Sequence, residues 1–281
     1  MRNHLIAIQG AVASFHDLAA RKYFGEDVSV LECGSFKEVC DKIANNKTDY
    51  GIIAIENKVA GSILLNYRLI ETYGLHIIGE IYLPIELQLF GKEKTKLSEI
   101  REIVSHPMAL GQSQNFLSGL ENVTVTEFKD TATSAKLVSD NSGNDIAVIA
   151  GPAVGKKYGL QILKDNVADV LQNFTRFYIL SKGETYEEDA DKASITLQLP
   201  DLSGKLFEAL EIIKLYDFNI TKIQSVPIPE KTGVYSFHLD IEFDKRYALA
   251  AMLDELQKVT TSLKVLGIYR GENPPSTINL N

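Results

Sequence analysis

The stretch Asn173-Phe174-Thr175-Arg176-Phe177-Tyr178-Ile179-Leu180 lies where one sequence pattern ends and another begins. Upstream of it, short apolar runs alternate with helical patterns, which is typical of open α/β sheets. Downstream of it, residues 183–192 are acidic and have no apolar period, as in a solvated linker. We therefore predict two domains, with the boundary just after a strand that returns the chain to the first domain.

Residues 1–182 predict an α/β domain made of two lobes. We expect lobe one at about residues 1–80 plus 165–182, and lobe two at about residues 81–164. Gly51-Ile52-Ile53-Ala54-Ile55 is a continuous apolar run of the kind found in strands buried on both faces. Two such lobes, joined by crossing strands, would enclose a cleft, and ligands favour such lobe interfaces.

Residues 193–272 predict a smaller α+β domain. Ile195, Leu197 and Leu199 alternate with polar residues, and residues 235–243 alternate in the same way, as half-buried strands do. Two amphipathic helical patterns and two further strand patterns complete the order βαββαβ. This is the split-βαβ arrangement of ferredoxin-like domains.

Composition excludes several classes of protein. The chain has 281 residues, 45% of them apolar, and a net charge of −8 with no block of Lys or Arg. A nucleic-acid partner is disfavoured because phosphate binding needs a basic stripe, and no apolar run reaches the roughly 18 residues of a membrane span. The N-terminus lacks the pattern of a signal peptide. Cys33 and Cys40 fit neither a zinc site nor a redox pair, so we expect a cytoplasmic protein without a metal.

Four polar clusters follow strands or open helices of the first domain, where open α/β folds bind ligands. None of them supplies a nucleophile–His–carboxylate relay, a phosphate loop or a metal site. The chemistry should therefore use neutral hydroxyls, amides and backbone dipoles on an anionic substrate. The clusters are Gln9–His16, Ile55–Ser62, Ser105–Gln112 and Asn173–Phe177.

Each cluster also has a structural interpretation, and the residues leave both open. Gln9–His16 could be an ordinary strand-to-helix turn, and Ile55–Ser62 a polar turn before a helix that Gly61-Ser62 opens. A lone histidine such as His106 is more often a structural hydrogen-bonding residue than an acid or base. Asn173–Phe177 could be a hinge strand held by aromatic packing.

Taken in this order, the clusters resemble the prephenate dehydratase family over nearly the whole chain. Thr175-Arg176-Phe177 matches the family's Thr-Arg-Phe triplet, and the C-terminal part resembles an ACT domain, the family's phenylalanine sensor. The other matching segments are Gly10…Ser14-Phe15 with Ala19-Ala20, Glu56-Asn57…Gly61-Ser62, Ser105-His106-Pro107…Ala109-Leu110…Gln112, and Asp130-Thr131-Ala132…Ala135.

The resemblance implies a fold and a reaction. The fold would be a two-lobed domain of the type II periplasmic-binding-protein kind, followed by a ferredoxin-like ACT domain. The reaction would convert prephenate to phenylpyruvate in phenylalanine biosynthesis, without a cofactor. Thr175 would donate a hydrogen bond or proton to the departing ring hydroxyl, and a hydrogen bond suits threonine better because it is a poor acid.

Further site residues follow from the same resemblance. Glu56 would orient its neighbours, and Arg176 would either bind a carboxylate or support its strand. The substrate-binding set is Glu56, Asn57, Ser105, Gln112, Asp130, Arg176 and Ser14. The phenylalanine-binding set is Gly204, Leu206, Asn219 and Ile220, placed between ACT domains of a homodimer or homotetramer.

Several positions depart from the family pattern. Ala11 and Ala13 replace a Pro and a Gly in the first motif, and Met108 replaces a Gln. Lys58 replaces a Ser, and it would either add a cation for a carboxylate or point to solvent. In the C-terminal domain, Lys205, Gln224 and Val226 replace family residues that accompany phenylalanine sensing. A non-catalytic sensor of an amino acid or anion and an arogenate dehydratase therefore stay open as alternatives.

Overall fold

The computed structural model describes residues 4–128, 131–184, 188–228, 235–244 and 247–275. Within these residues the chain forms fifteen strands. They are β1 (Leu5–Gln9), β2 (Ser29–Cys33), β3 (Tyr50–Asn57), β4 (Gly61–Ser62), β5 (His76–Pro84), β6 (Gln88–Gly91), β7 (Glu102–Ser105), β8 (Thr124–Glu127), β9 (Ile146–Ala150), β10 (Gln161–Lys164), β11 (Phe174–Ser181), β12 (Lys192–Gln198), β13 (Asn219–Pro227), β14 (Tyr235–Glu242) and β15 (Ser262–Tyr269).

The same described residues form nine α-helices and a 3-10 turn at Leu97–Glu99. None of these helices has the length and apolarity that crossing a membrane requires. The α-helices are α1 (Phe15–Phe24), α2 (Phe36–Ala44), α3 (Leu64–Tyr73), α4 (Pro107–Gly111), α5 (Gln114–Ser118), α6 (Thr131–Asp140), α7 (Pro152–Lys157), α8 (Lys205–Leu215) and α9 (Tyr247–Val259).

Two mixed sheets form the first part of the chain. The first has the order β2-β1-β3-β11-β5, with β4 paired to β3. β1, β2 and β3 are parallel, and β11 runs antiparallel between β3 and β5. The second has the order β10-β6-β9-β7-β8. The chain passes from the first sheet to the second after β5 and returns through β11, which fits the expected two-lobed α/β domain.

The C-terminal sheet has the order β13-β14-β12-β15 and is antiparallel throughout. The expected order βαββαβ is confirmed. Apolar residues of β12 and β14, such as Ile195 and Leu239, pack with α8 and α9. Because side chains alternate along a strand, Ser194 and Asp240 point to the opposite face, where they are also buried.

That opposite face of the C-terminal sheet packs on the first sheet. Val226, Leu266 and Tyr269 belong to the same apolar cluster as Ile55 and Leu180 of lobe one. Gly267 on β15 allows the closest approach, since a Cβ atom there would lie 2.0 Å from the carbonyl oxygen of Ile77. The described parts of the two domains are therefore joined by a packed interface.

Two local predictions were wrong. Gly61-Ser62 does not open a helix but forms β4, because the chain turns back on β3 and Gly61 takes a φ of +81°, which glycine tolerates. The sequence pattern from Met108 to Leu117 predicts one helix, but the chain forms two short helices there, α4 and α5. The chain changes direction between them at Gln112 and Ser113, and both side chains are buried.

Candidate active site

A cavity of about 510 Å³ lies between the two lobes. Lobe one contributes the ends of β1, β3 and β11 and the start of α1, while lobe two contributes the α4 region and the start of α6. This is the cleft that the sequence predicts. Its lining residues are Gln9, Gly10, Ser14, Phe15, His16, Phe36, Ala54, Asn57, Ala60, Gly61, Ser62, Ile63, Ile85, Leu87, His106, Met108, Ala109, Gln112, Thr131, Thr175 and Phe177.

Asn57 and Thr175 form the polar centre of the cavity wall. They are opposite each other on β3 and β11, and the Asn57 Nδ2 donates to Thr175 Oγ1 at 2.9 Å. The Asn57 Oδ1 accepts from the backbone N–H groups of Val59 and Ala60 at 3.0 and 2.9 Å. These bonds hold the amide in one orientation, so its NH2 group always faces the threonine.

This orientation decides what the Thr175 hydroxyl does. Its oxygen accepts the bond from Asn57, and among the described residues no acceptor takes its own proton. A hydroxyl is one donor as well as an acceptor. Since Thr175 lines the cavity and is 8% exposed, its O–H is left to donate to a bound ligand.

Lobe two reaches the same centre through Gln112. Its Nε2 donates to the Asn57 Oδ1 at 3.3 Å, and its Oε1 accepts from the Asn173 Nδ2 at 3.2 Å. Asn173 also accepts from the Asn57 Nδ2 at 3.0 Å. The sequence prediction left Asn173 out of the substrate-binding set, although it opens the fourth cluster, two residues before Thr175. The four buried side chains form one uncharged network across the two lobes.

Helix starts supply the cavity with positive potential. Ser14 caps α1, its Oγ accepting from the Asp17 N–H at 3.4 Å, and Thr131 begins α6. Exposed N–H groups at such positions favour anions. No Lys or Arg occurs among the described lining residues. The cavity therefore offers dipoles and neutral donors to an anionic ligand.

The two histidines of the cavity are not placed as acids. The His16 ring packs against Phe36 and Phe177, and burial lowers the pKa of His16 to about 3. The ring is therefore neutral near pH 7. His106 precedes α4, and its Nδ1 accepts from the Met108 N–H at 3.1 Å, which is the structural role anticipated for it.

The loop between β1 and α1 has an unusual backbone. Gly10 and Ala13 have φ values of 90° and 74°, in the region that favours glycine. The loop is held by Asp17, which accepts from the Ala13 N–H at 2.7 Å, and by Lys157 of lobe two, which donates to the Val12 carbonyl at 3.0 Å. The glycine of the family pattern at position 13 is thus explained by the backbone conformation.

A model of the prephenate dehydratase family matches residues 6–185, which is more than half of the chain. The chain belongs to the prephenate dehydratase family. The expected carbon–oxygen lyase family is therefore confirmed.

Two relatives are similar to this chain over a longer stretch than residues 6–185. A bifunctional chorismate mutase/prephenate dehydratase from Aquifex aeolicus is 31% identical, over 94% of this chain and 73% of its own length. Arogenate dehydratase/prephenate dehydratase 1 from Arabidopsis thaliana is 33% identical, over 94% of this chain and 71% of its own length.

Solved structures share the whole architecture. GqqA, described as a novel type of quorum quenching acylase, superposes with a TM-score of 0.85 at 26% identity, over 95% of this chain and 98% of its own. The prephenate dehydratase from Arthrobacter aurescens, solved in complex with L-Phe, has a TM-score of 0.84 at 25% identity, over 95% and 90% of the two chains.

Ser105, which the family resemblance assigned to the site, does not line the cavity. Ser105 is fully buried, and its Oγ donates to the Ile149 carbonyl at 2.5 Å. It therefore fastens β7 to β9 and does not line the cavity. Lys58 is exposed and lies over the Phe174 ring, 5.7 Å from its centroid. Asp130 lies outside the described residues.

Arg176 and Glu56 point away from the cavity. Arg176 donates from Nε to Glu80 at 2.7 Å and from Nη1 to Asp240 at 2.5 Å, and it is 2% exposed. Glu56 accepts from the Lys222 Nζ at 2.5 Å. Neither residue lines the cavity, which favours the supporting role predicted for Arg176 and the orienting role predicted for Glu56 over a direct contact with substrate. Neighbours on a strand point to opposite faces, and Thr175 and Asn57 occupy the cavity face.

The face that carries Arg176 holds a buried network between the domains. Lys192 donates to Glu80 at 2.9 Å, and Tyr178 and Ser194 donate to Asp240 at 3.0 and 2.6 Å. Burial raises the pKa of the Asp240 carboxyl, but the Arg176 charge and the hydrogen bonds from Ser194 and Arg176 outweigh it and lower the pKa overall. In this interface the positive charges of Arg176 and Lys192 thus balance the negative charges of Glu80 and Asp240.

The residues predicted to bind an effector lie in the C-terminal unit. Gly204 precedes α8 with a φ of +86°, and Leu206 lies in the first turn of that helix. Asn219 begins β13 and donates to Glu242 at 3.2 Å, while Ile220 packs with the core beneath α8 and α9. Their assignment to an effector stays a prediction.

Proposed function

We propose that this chain converts prephenate to phenylpyruvate with loss of CO2 and water. The bond between the ring and its carboxylate breaks, and the electron pair makes the ring aromatic as it expels the ring hydroxyl. That hydroxyl leaves as water after taking one proton, which comes in the end from solvent. Aromatisation supplies most of the driving force, so the protein has to bind the dianion and assist the leaving hydroxyl.

The observation that carries the proposal is the Asn57–Thr175 pair. Asn57 donates to the threonine oxygen at 2.9 Å, which leaves the Thr175 proton for the departing oxygen. Hydrogen bonds fixed in advance at the place where charge develops are a major source of catalysis. Thr175 is assigned hydrogen bonding and not proton transfer, since an aliphatic hydroxyl is too weak an acid to give up its proton near neutral pH.

Substrate binding is assigned to the remaining groups of the cavity. The starts of α1 and α6, at Ser14 and Thr131, are suited to the two carboxylates of prephenate. Gln112 and Asn173 hold Asn57 in place and close the network from lobe two. The aromatic walls at Phe36 and Phe177 suit the six-membered ring.

The test is turnover of prephenate by the purified protein. Phenylpyruvate should form at a rate proportional to protein concentration, measured by its ultraviolet absorbance against a sample without protein. A non-catalytic sensor with the same fold would instead bind prephenate without consuming it, so turnover rejects that alternative. Binding without product would reject the proposal.

Arogenate is a second candidate substrate, favoured by the Arabidopsis relative, whose name includes both activities. It differs from prephenate by an amino group in place of the keto oxygen of the side chain. Ratios of kcat/KM measured side by side on the two substrates decide the preference. The GqqA structure raises the question of an acylase activity, which hydrolysis of an acylated amine would reveal in the same preparation.

The second part of the proposal is feedback control. We assign residues 1–182 to a catalytic domain of the type II periplasmic-binding-protein kind and residues 193–272 to a regulatory ACT domain in a cytoplasmic homodimer or homotetramer. Support comes from the βαββαβ order and from the relative solved with L-Phe. L-Phenylalanine should bind, as calorimetry would show, and should lower the rate. Light scattering gives the oligomeric state.

A further inference from the structure

Lys222 of β13 carries the contact of the C-terminal domain with the wall of the cavity that bears on Asn57. Its Nζ donates to the Glu56 Oε1 at 2.5 Å and to the Ser62 Oγ at 2.8 Å. Lys222 and Glu56 are 16% and 31% exposed, so the ion pair is shielded from solvent over most of its surface. This contact differs from the Arg176 network, since Ser62 itself lines the cavity.

The two acceptors are a directly opposed pair in the β3–β4 hairpin. Glu56 is opposite Ser62, and Asn57 is opposite Gly61. Lys222 therefore joins the two strands of the hairpin from outside, one residue away from Asn57. The hairpin turn is short and is also held by the bonds that Val59 and Ala60 donate to the Asn57 Oδ1, and by the Lys58 N–H, which donates to the Phe174 carbonyl at 2.9 Å.

A β-bulge directs Lys222 towards this hairpin. Ile220 of the same strand packs beneath α8 and α9, and a residue two positions on would ordinarily point to the same face. The pairing of β13 with β14 shifts between Ile220 and Lys222, which reverses the alternation. Bulges commonly re-aim side chains next to active sites.

β3 carries a second irregularity at the same place. In its pairing with β11, Arg176 is opposite Glu56, but the next residue, Phe177, is opposite Ala54. Ile55 therefore has no partner residue on β11. Ile55 and Glu56 consequently both lie on the side of the C-terminal domain, whereas Asn57 faces the cavity. Asn57 itself stays paired with Thr175 on one side and Gly61 on the other, and Lys222 makes its contacts immediately beside these pairs.

We infer that Lys222 is a positioning residue of the active site, supplied by the C-terminal domain. It holds Glu56 and Ser62 together, which keeps the hairpin turn closed and the Asn57 amide aimed at Thr175. This inference rests on the proposed function for its kinetic consequence, but its structural consequence does not. The cavity wall is thus supported from behind by a residue outside the two lobes, and displacement of β13 would alter the orientation of Asn57.

The experiment compares Lys222→Met with Lys258→Met in the full-length protein. Lys258 belongs to the same domain and forms an ion pair of 2.6 Å with Glu255 on α9, the helix that packs on the face of the C-terminal sheet opposite the hairpin. Lys222→Met should lower kcat about 10- to 100-fold, the range expected for a small misplacement of a reacting group. KM should change much less, Lys222→Arg should recover most of the rate, and Lys258→Met should behave as wild type.

A second measurement needs no turnover. Amide hydrogen exchange of Val59 and Ala60, which bond to Asn57, should be faster in Lys222→Met and unchanged in Lys258→Met. If the wild-type protein made no phenylpyruvate, the proposed function would fail while this exchange still tested the positioning role. Unchanged kcat, or unchanged exchange at residues 57–62, would overturn the inference. An equal loss in both variants would also overturn it.

A double-mutant cycle identifies the route. Glu56→Gln alone should lower kcat, and combining it with Lys222→Met should add little, because both act through one contact. Fully additive losses would show that Lys222 acts elsewhere and would also reject the inference.

Discussion

The two faces of the β3–β11 strand pair have opposite chemistry. The face towards the cavity carries Asn57 and Thr175, which are uncharged and linked by a single hydrogen bond of 2.9 Å. The face towards the C-terminal domain carries Glu56 and Arg176, which are charged and paired with Lys222, Glu80 and Asp240. The neutral face suits a dianionic ligand, and the charged face fastens the domains together.

The comparison separates catalysis from support within one short motif. Thr175 and Arg176 are adjacent in sequence, yet a strand directs them to opposite sides. All residues of such a motif can therefore be needed for function, although only every second one faces the ligand and the others support the strand. Substitutions on the two faces should therefore give different defects, in stability on one face and in catalysis on the other.

The largest effect is expected from Arg176→Met. The substitution leaves Glu80 and Asp240 buried with only Lys192 as a cation, and breaking a buried ion pair costs about 3–5 kcal/mol. The free energy of unfolding, measured by urea denaturation, should fall by that amount. A loss below about 1 kcal/mol, the value of a surface ion pair, would show that this face does not fasten the domains.

Thr175→Val should affect catalysis instead. It preserves the shape of the side chain but removes the donor, and loss of one such hydrogen bond lowers kcat by about 10²–10³. Its free energy of unfolding should change less than that of Arg176→Met. Steady-state kinetics and urea denaturation on both variants show whether the two faces are separable. Near-normal kcat in Thr175→Val would reject the assigned role.

Gly267→Ala tests the packing behind the charged face. The added methyl group would meet the Ile77 carbonyl at 2.0 Å, and overpacking of this kind costs about 1–3 kcal/mol. Gly119→Ala is the matched control, since its Cβ has only an ordinary contact at 3.5 Å. Thermal unfolding should show a lower Tm for Gly267→Ala alone, and equal Tm values would contradict the close approach.

The smallest effect near neutral pH is expected from the titrating groups His16 and Asp240. Their effect on the free energy of unfolding grows as the pH falls. The pKa of His16 is lowered to about 3 by burial, so its contribution to stability is lost as the pH falls below the ordinary histidine value of about 6.5. The pKa of Asp240 is also lowered, so its contribution is lost only as the pH falls below about 3.9.

Urea denaturation between pH 3 and 8 should therefore show two losses of stability. His16→Asn should remove the decline between about pH 6.5 and 4, while the decline at lower pH should remain. A His16→Asn profile that matches wild type throughout would show that the histidine is not buried as described.

Much of the fold could be predicted from the sequence because it depends on local periodicity. The alternation at Ile195, Leu197 and Leu199 predicted a half-buried strand. β12 does have an apolar face beneath the helices, but its polar face is buried as well, because the first sheet packs on it. The continuous run Gly51–Ile55 predicted a fully buried strand, which β3 confirms. Helix ends were less predictable, since the break at Gln112 between α4 and α5 depends on contacts with Asn57 and Asn173.

The sequence by itself determined the family, the βαββαβ order and the cleft region that holds Asn57, Gln112 and Thr175. Only the tertiary structure decided which members of each motif face that cleft. Arg176, Glu56 and Ser105 stand inside the motifs but point to a second domain or to a core. The physical reason is that residue spacing along the chain indicates only the period of a strand. The bulges at Ile55 and next to Lys222 arise only when the sheets assemble, and so does the choice of the element that packs on each face.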